Sequence, residues 1–229
     1  MAPHPNRLNQ LLSLLFQAHP WHGVPAHDRE GDEFTAYIEI VPTDTVKYEL
    51  DKAAGHLRLD RPHRYSSMCP TLYGFIPQTY CAERVADRCM VRTGRPAIHG
   101  DGDPIDICVL SEKPFSHGNF LLRARPIGGL RMVDGNEADD KIVAVLVDDI
   151  TFGGIEDISQ VPEGLIDRLR HYFLTYKQLP ADQPRRVDIA EIYDRAEAVE
   201  TIRRSIEDYR NHFGDPEIRV DELRQLLGR

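Results

Sequence analysis

Asp101-Gly102-Asp103-Pro104-Ile105-Asp106-Ile107-Cys108-Val109-Leu110 decides the reading of this chain. Its first six residues hold three carboxylates at a turn, and its last four read as a buried strand. Carboxylates this close repel one another, so at a strand entrance they need cations. Oxygen-only donors suit hard ions such as Mg²⁺. In an extended chain Asp101 and Asp103 share a side and Asp106 does not. The Gly and Pro between them allow the backbone to turn so that all three converge. Two plainer readings compete. Asp-Gly is a common turn dipeptide, and an Asp-rich turn is often simply solvated. An EF-hand loop would end at Glu112, eleven residues after Asp101, but Ile105 is apolar at its fifth position and Asp106 stands where its sharp turn needs Gly.

A second acidic cluster follows: Asp134-Gly135-Asn136-Glu137-Ala138-Asp139-Asp140-Lys141. It lies between apolar runs at 130–133 and 142–147, the pattern of a hairpin loop. Alone it reads as a solvated turn, but two acidic loops from one sheet could share several metals. Glu39 and Lys47-Tyr48-Glu49 sit on strand-like segments, and Arg61, Tyr73 and Tyr176-Lys177 follow. Each is ordinary singly. As a set they are coherent: metals with Lys and Arg reverse the field of the carboxylates, and Tyr hydroxyls donate to phosphoryl oxygens. Such a site suits metal-assisted attack of water on phosphorus.

Strand signals fill residues 34–60 and recur at 106–110, 119–127, 129–133 and 142–147, with turn dipeptides between them. Close strands with Gly turns predict a small barrel or curled sheet. A short amphipathic helix is expected at 6–17 and a helical turn or two at 83–91. Residues 163–177 show helical periodicity, with Leu165, Ile166, Leu169, Tyr172, Phe173 and Tyr176 on one face and Pro162 marking the start. A further helix spans Arg195–Phe213, with Ala196, Val199, Ile202, Ile206 and Tyr209 on one stripe, and a last one starts at Asp215-Pro216 and runs to 227. The charged tail reads equally as a clamp over a neighbouring subunit or as a helix packed on its own core.

These residues resemble the soluble, Mg²⁺-dependent, single-domain inorganic pyrophosphatases of family I. DGDPID matches that family's metal motif. The order of the other elements matches too: IEI around Glu39, KYELDK at 47–52, Asp60-Arg61, PTLYGFIP at 70–77, the Asp134…Asp139…Lys141 loop and HYFLTYK at 171–177. The resemblance covers residues 36–178. It implies an α+β fold with a central antiparallel, OB-like β-barrel flanked by helices, and hydrolysis of inorganic diphosphate to two phosphates. It implies that Asp101, Asp106 and Asp139 hold the high-affinity metals, with Asp106 bridging two, and that Asp134 with Asp139 holds a metal arriving with substrate. Asp103 would accept the proton of the attacking water. Lys47, Arg61, Tyr73, Lys141, Tyr176 and Lys177 would grip the phosphates, and Glu39 and Glu49 would order water around the metals. Mg²⁺ is the expected cofactor, several ions per site, with Mn²⁺ as a substitute. The chain departs from the pattern at Cys69, where bacterial members usually carry Tyr, and at Gly135, where an acidic residue is common. It also carries an insertion at about 80–99 and extra segments at both ends.

With 229 residues, 41% of them hydrophobic, the chain is expected to form one domain, a core at about 34–180 with appendages. A net charge of −9 argues against nucleic acid as a partner. No apolar run reaches the roughly eighteen residues that span a bilayer. The run at 11–16 is too short for a secretory core. A cytoplasmic protein without a membrane partner is expected. Cys69, Cys81, Cys89 and Cys108 lack paired spacing, so reduced, buried thiols are expected. The extra segments favour a homo-oligomer, a dimer over the family's bacterial hexamer. The rival readings are a non-catalytic OB-like nucleotide-binding or scaffold module and a hydrolase of another phosphoanhydride.

Overall fold

The computed structural model describes residues 17–27, 32–64, 66–177 and 186–216, together with 218, 221 and 225. The helix expected at 6–17 and most of the one at 215–227 lie outside the described residues.

The alternating segment after residue 33 becomes strands β1 (Phe34–Ile40), β2 (Val46–Leu50) and β3 (Leu57–Pro62). Then come β4 (Leu72–Phe75), helix α1 (Glu83–Thr93), β5 (His99–Gly100) and β6 (Asp106–Leu110). They are followed by β7 (Phe120–Asp134), β8 (Glu137–Ala138) and β9 (Lys141–Leu146). Helix α2 (Glu163–Thr175), β10 (Val187–Asp194) and helix α3 (Arg195–Phe213) complete the set. β1, β4, β6, β9 and β7 pair in that order, and β7 pairs back to β1, so the strands close a ring. The OB-like barrel flanked by helices is therefore present. It differs from the expected all-antiparallel form within the ring at one pair, β6 and β9, which run parallel; beside the ring the short strands β5 and β8 are parallel too.

β7 is one strand of 15 residues where the sequence pattern predicts two. A register shift between Pro126 and Gly128 bends it, so that one chain segment pairs with β1, β9, β8 and β10 in turn. Gly129 is needed there: a Cβ on it would lie 2.3 Å from the ring of Tyr193 on β10. β10 itself has no counterpart in the sequence reading.

Strand alternation divides the core. Ala36, Ile38, Leu72, Ile107, Val109, Ala124, Ile142 and Ala144 come from all the ring strands and pack in one cluster, which places them inside the ring. Their neighbours Ile40, Cys108, Leu130, Met132, Val143 and Val145 face outward and are covered by Ile166, Leu169, Tyr172 and Phe173 of α2. That is the helical face the periodicity predicts, and the helix ends at Thr175 with Tyr176 as its cap. Burying such side chains stabilises by about 1.5–3 kcal/mol each.

The insertion holds a full helix, α1, and that helix docks on α3. Its own N-cap is Ala82, which supplies no side-chain bond. Asp208 of α3 does the capping instead, accepting from the backbone N–H groups of Ala82 at 3.0 Å, Arg84 at 3.1 Å and Val85 at 3.2 Å. Of the stripe expected on α3, Val199, Ile202 and Tyr209 are buried within its own chain and Ile206 is partly buried, but Ala196 is exposed and Ala198 takes the buried place. The charged tail read as a clamp lies mostly outside the described residues. Asp208→Ala should lower the stability of the protein by about 1–2 kcal/mol, the range for a lost cap. An unchanged denaturant midpoint would show that α1 does not depend on Asp208.

Candidate active site

The acidic motif enters β6 and the second acidic loop enters β9. Because β6 and β9 are parallel neighbours, both loops emerge at the same end, with Asp106 directly beside Lys141 in register. The motif is held from behind by Ile105, which is fully buried. Its N–H donates to Thr79 Oγ1 at 3.0 Å and its carbonyl accepts from Ile76 N–H at 3.0 Å. Asp101 Oδ1 accepts from the backbone N–H of Asp103 at 3.0 Å, and Gly102 takes the positive φ of 75° that the turn requires.

Asp101, Asp103, Asp106, Asp134, Asp139, Lys47, Arg61, Tyr73, Lys141, Tyr176 and Lys177 all line one cavity of about 230 Å³. Every residue assigned to metal, proton transfer or phosphate is thus in one place. Glu39 and Glu49 do not line it. Glu39 is buried behind the wall, where the N–H of Leu50 donates to its Oε1 at 2.7 Å. Burial pushes its carboxyl up to about 8. Glu49 stands 3.9 Å from Lys47.

The electrostatics follow from crowding. Lys141 is 2% exposed and donates to both Asp106 and Asp139. Burial alone would weaken its hold on the proton, but those two carboxylates keep its pKa well above the ordinary lysine value. The Tyr73 hydroxyl donates to Asp106 Oδ2 at 2.6 Å, and burial together with Asp106 raises its pKa. Burial and the neighbouring Asp139 push the Asp101 carboxyl well above the usual carboxylate range. Burial would do the same to Asp134, but Lys177 and Arg186 pair with it and hold it below that range. At the rim, Lys47 pairs with Asp60 at 3.3 Å, Arg61 with Asp60 at 2.5 Å, and Lys52 with Asp103.

Sequence reasoning missed Lys52, Asp60, Glu137, Tyr172, Phe173 and Arg186 as parts of this site. Lys52 and Asp60 stand inside motif stretches and were visible as charges without a stated task. Arg186 lies in a stretch with no pattern to mark it. Cys69 stays behind the wall, its thiol pushed up to about 11 by burial, with Sγ 4.0 Å from Thr71 Oγ1.

Asp106 and Asp139 turn to Lys141, and Asp134 and Asp103 to other cations, rather than to a ready-made cage. Among the described residues no three His, Cys, Asp or Glu side chains already surround a metal-sized point. An oxygen-only donor set of this kind still fits a hard divalent cation such as Mg²⁺, which keeps several waters and takes only one or two carboxylates plus substrate phosphate. Burial and the repulsion of Asp139 drive up Asp101, and such a cation would relieve both.

A curled barrel with carboxylates, lysines, an arginine and tyrosines around one polar cavity defines a site for a multiply charged phosphate anion and its cations. The comparisons make this specific. The family model "Inorganic pyrophosphatase" matches residues 36–210. Inorganic pyrophosphatase of Chlamydia trachomatis is 49% identical over 200 residues, 86% of this chain and 96% of that protein. Soluble inorganic pyrophosphatase 1 of Arabidopsis thaliana is 34% identical over 215 residues, 92% of this chain and 91% of that one. The crystal structure of the Thermus thermophilus inorganic pyrophosphatase superposes with a TM-score of 0.68 at 32% identity, covering 83% of this chain and 99% of that one. The chain belongs to the inorganic pyrophosphatase family, a family of metal-dependent hydrolases. Among the described residues no helix is long and apolar enough to cross a membrane.

Lys141→Met would leave Asp106 and Asp139 facing each other without their cation. Breaking a buried pair costs roughly 3–5 kcal/mol, and the partial water contact of both carboxylates lowers the expectation to about 2–3 kcal/mol. Denaturant unfolding in EDTA measures it, and a midpoint equal to the parent's would sink the pairing.

Proposed function

We propose that this protein hydrolyses inorganic diphosphate to two phosphates with Mg²⁺, and that Mn²⁺ substitutes for it. The observation that carries the reading is the parallel placement of the two acidic loops, which lines one cavity with five aspartates together with Lys47, Arg61, Lys141 and Lys177. Held by Asp101, Asp106, Asp134 and Asp139, divalent cations would offset the substrate's charge and make water a better nucleophile.

The chain's own groups do the rest. Lys47, Arg61, Lys141 and Lys177 bind phosphoryl oxygens, and the Tyr73 and Tyr176 hydroxyls donate to others. Asp103 sits at the rim, 41% exposed, where it meets both solvent and the cavity. It takes the proton as water oxygen bonds to phosphorus and the bridging P–O bond breaks, releasing the second phosphate. Glu39 and Glu49 stand behind the cavity wall and would order water around the metals from there. The chain works as one unit, the core at about 34–180 with the inserted helix and the C-terminal helices added to it. Four buried, unpaired thiols suit the reducing cytoplasm.

A phosphate-release assay tests the reading. Activity should appear with Mg²⁺ or Mn²⁺, vanish in EDTA and stay low with Ca²⁺, which is larger and less strict in geometry. Diphosphate should be preferred to ATP and tripolyphosphate; preference for either of those would favour another phosphoanhydride instead. Asp103→Asn should lower kcat at least about a hundredfold, the low end for a lost general base. If that variant instead loses its metals in calorimetry, Asp103 is a ligand.

We also propose a homo-oligomer, with a dimer preferred to a hexamer. Since α3 buries its stripe internally, any interface uses another surface. Light scattering decides, and a concentration-independent particle of 26.1 kDa would refute it.

A further inference from the structure

Asp139 and Asp140 are adjacent but face opposite ways, as extended residues do. Asp139 lines the cavity. Asp140 turns into the protein and is 3% exposed. There its Oδ2 accepts from Arg131 Nε at 3.4 Å and from the Tyr193 hydroxyl at 3.2 Å. Arg131 is fully buried, a rare place for a guanidinium. Its remaining donors go to Glu191 Oε2 at 3.1 Å and Glu197 Oε1 at 2.6 Å, and its guanidinium lies 4.8 Å from the ring centre of Tyr193. Glu197 in turn accepts from Arg88 Nε of α1 at 2.9 Å.

One buried cation therefore joins the second acidic loop to β10 and α3, and through Glu197 to the inserted helix α1. The same stretch of β7 also fixes the loop's backbone, because the carbonyl of Met132 accepts from the N–H of Asp139 at 3.0 Å. Alternation on β7 sends Arg131 to one side and Asp134 to the cavity side. The loop is thus gripped on its hidden face at the residue next to Asp139. Apolar side chains of similar volume could fill such a space at no cost in stability. A charged node at this place makes more sense as a device that sets direction.

We propose that Arg131, Asp140 and Tyr193 form a clamp that aims Asp139 and Lys141 into the site, so that these three are positioning residues for cation binding. This rests on the functional reading above. Partners that orient a ligand typically govern 10–100-fold in metal affinity.

The test compares the parent with Asp140→Asn and Tyr193→Phe. Mg²⁺ and Mn²⁺ affinity is measured by calorimetry without substrate, and the melting temperature is measured in EDTA. Both variants should bind the cations about tenfold more weakly or worse; Tyr193→Phe should melt close to the parent, whereas Asp140→Asn should melt lower, because it removes a charge from a buried pair. Tyr193→Phe deletes a single hydroxyl and decides the matter if Asp140→Asn does not fold. Asp208→Ala serves as a control, because it loosens α1 on α3 without touching the loop; it should melt lower and bind the cations as the parent does. Affinities within twofold of the parent in the clamp variants would overturn the proposal. So would an equal loss of affinity in Asp208→Ala, which would reduce the node to plain stability. A parent that binds no divalent cation would remove the functional reading and the clamp together. A parent that binds beside variants that bind equally would remove the clamp alone.

Discussion

The parallel pairing of β6 with β9 is the constraint on which the rest of the site depends. Antiparallel neighbours would send the two acidic loops to opposite ends of the ring. The parallel register instead sets Asp106 against Lys141, and it brings in Asp101 and Asp103 on one side and Asp134 and Asp139 on the other. Parallel strands need a connection that crosses over. Here β7 supplies it, lying between β6 and β9 in sequence and pairing antiparallel with β9. The length and bend of β7 are therefore part of the site's geometry.

Charge sets the second requirement. A wall of aspartates in a half-buried cavity is unstable by itself, and the structure answers four of the five with a cation: Lys141 for Asp106 and Asp139, Lys177 and Arg186 for Asp134, Lys52 for Asp103, while Asp101 stays crowded against Asp139. These are also the groups suited to a phosphate-rich anion. A carboxylate–lysine site of this kind is balanced in itself and can exchange partners when an anion arrives with its own cations. Phe173 beneath Lys141 and the α2 face around it keep water from dissolving that balance.

Much of this was legible in the sequence because the signals are local. DGDPID announces its charge problem within six residues, the α2 and α3 faces repeat at helical spacing, and the short β-rich runs suggest a curled sheet. The ordered series of motifs located all the cavity-lining residues assigned to metal, proton transfer or phosphate. What escaped was non-local. β10 alternates over only a few residues and becomes a strand because β7 offers it an edge. Glycine and proline at 126–129 look like a break and prove to be a bend within one strand. Asp140 looked like one more acid of a loop, and nothing in its neighbourhood names Arg131 and Tyr193 as its partners. The stripe of α3 was visible, but not what covers it.

Asp208 caps a helix whose N-cap residue, Ala82, lies 126 residues before it. That separation bears on how the molecule is made. As the chain leaves the ribosome, the ring strands can close once β9 has emerged, whereas α1 waits with its first N–H groups unanswered until the last turns of α3 arrive. The inserted segment is then among the final parts to set, and the barrel must hold it loosely in the interval. Closing so long a loop adds an entropic cost that rises only slowly with length. The delay is thus set by the order of synthesis more than by the difficulty of the contact. A chain ending before residue 208 would lack the carboxylate that caps α1.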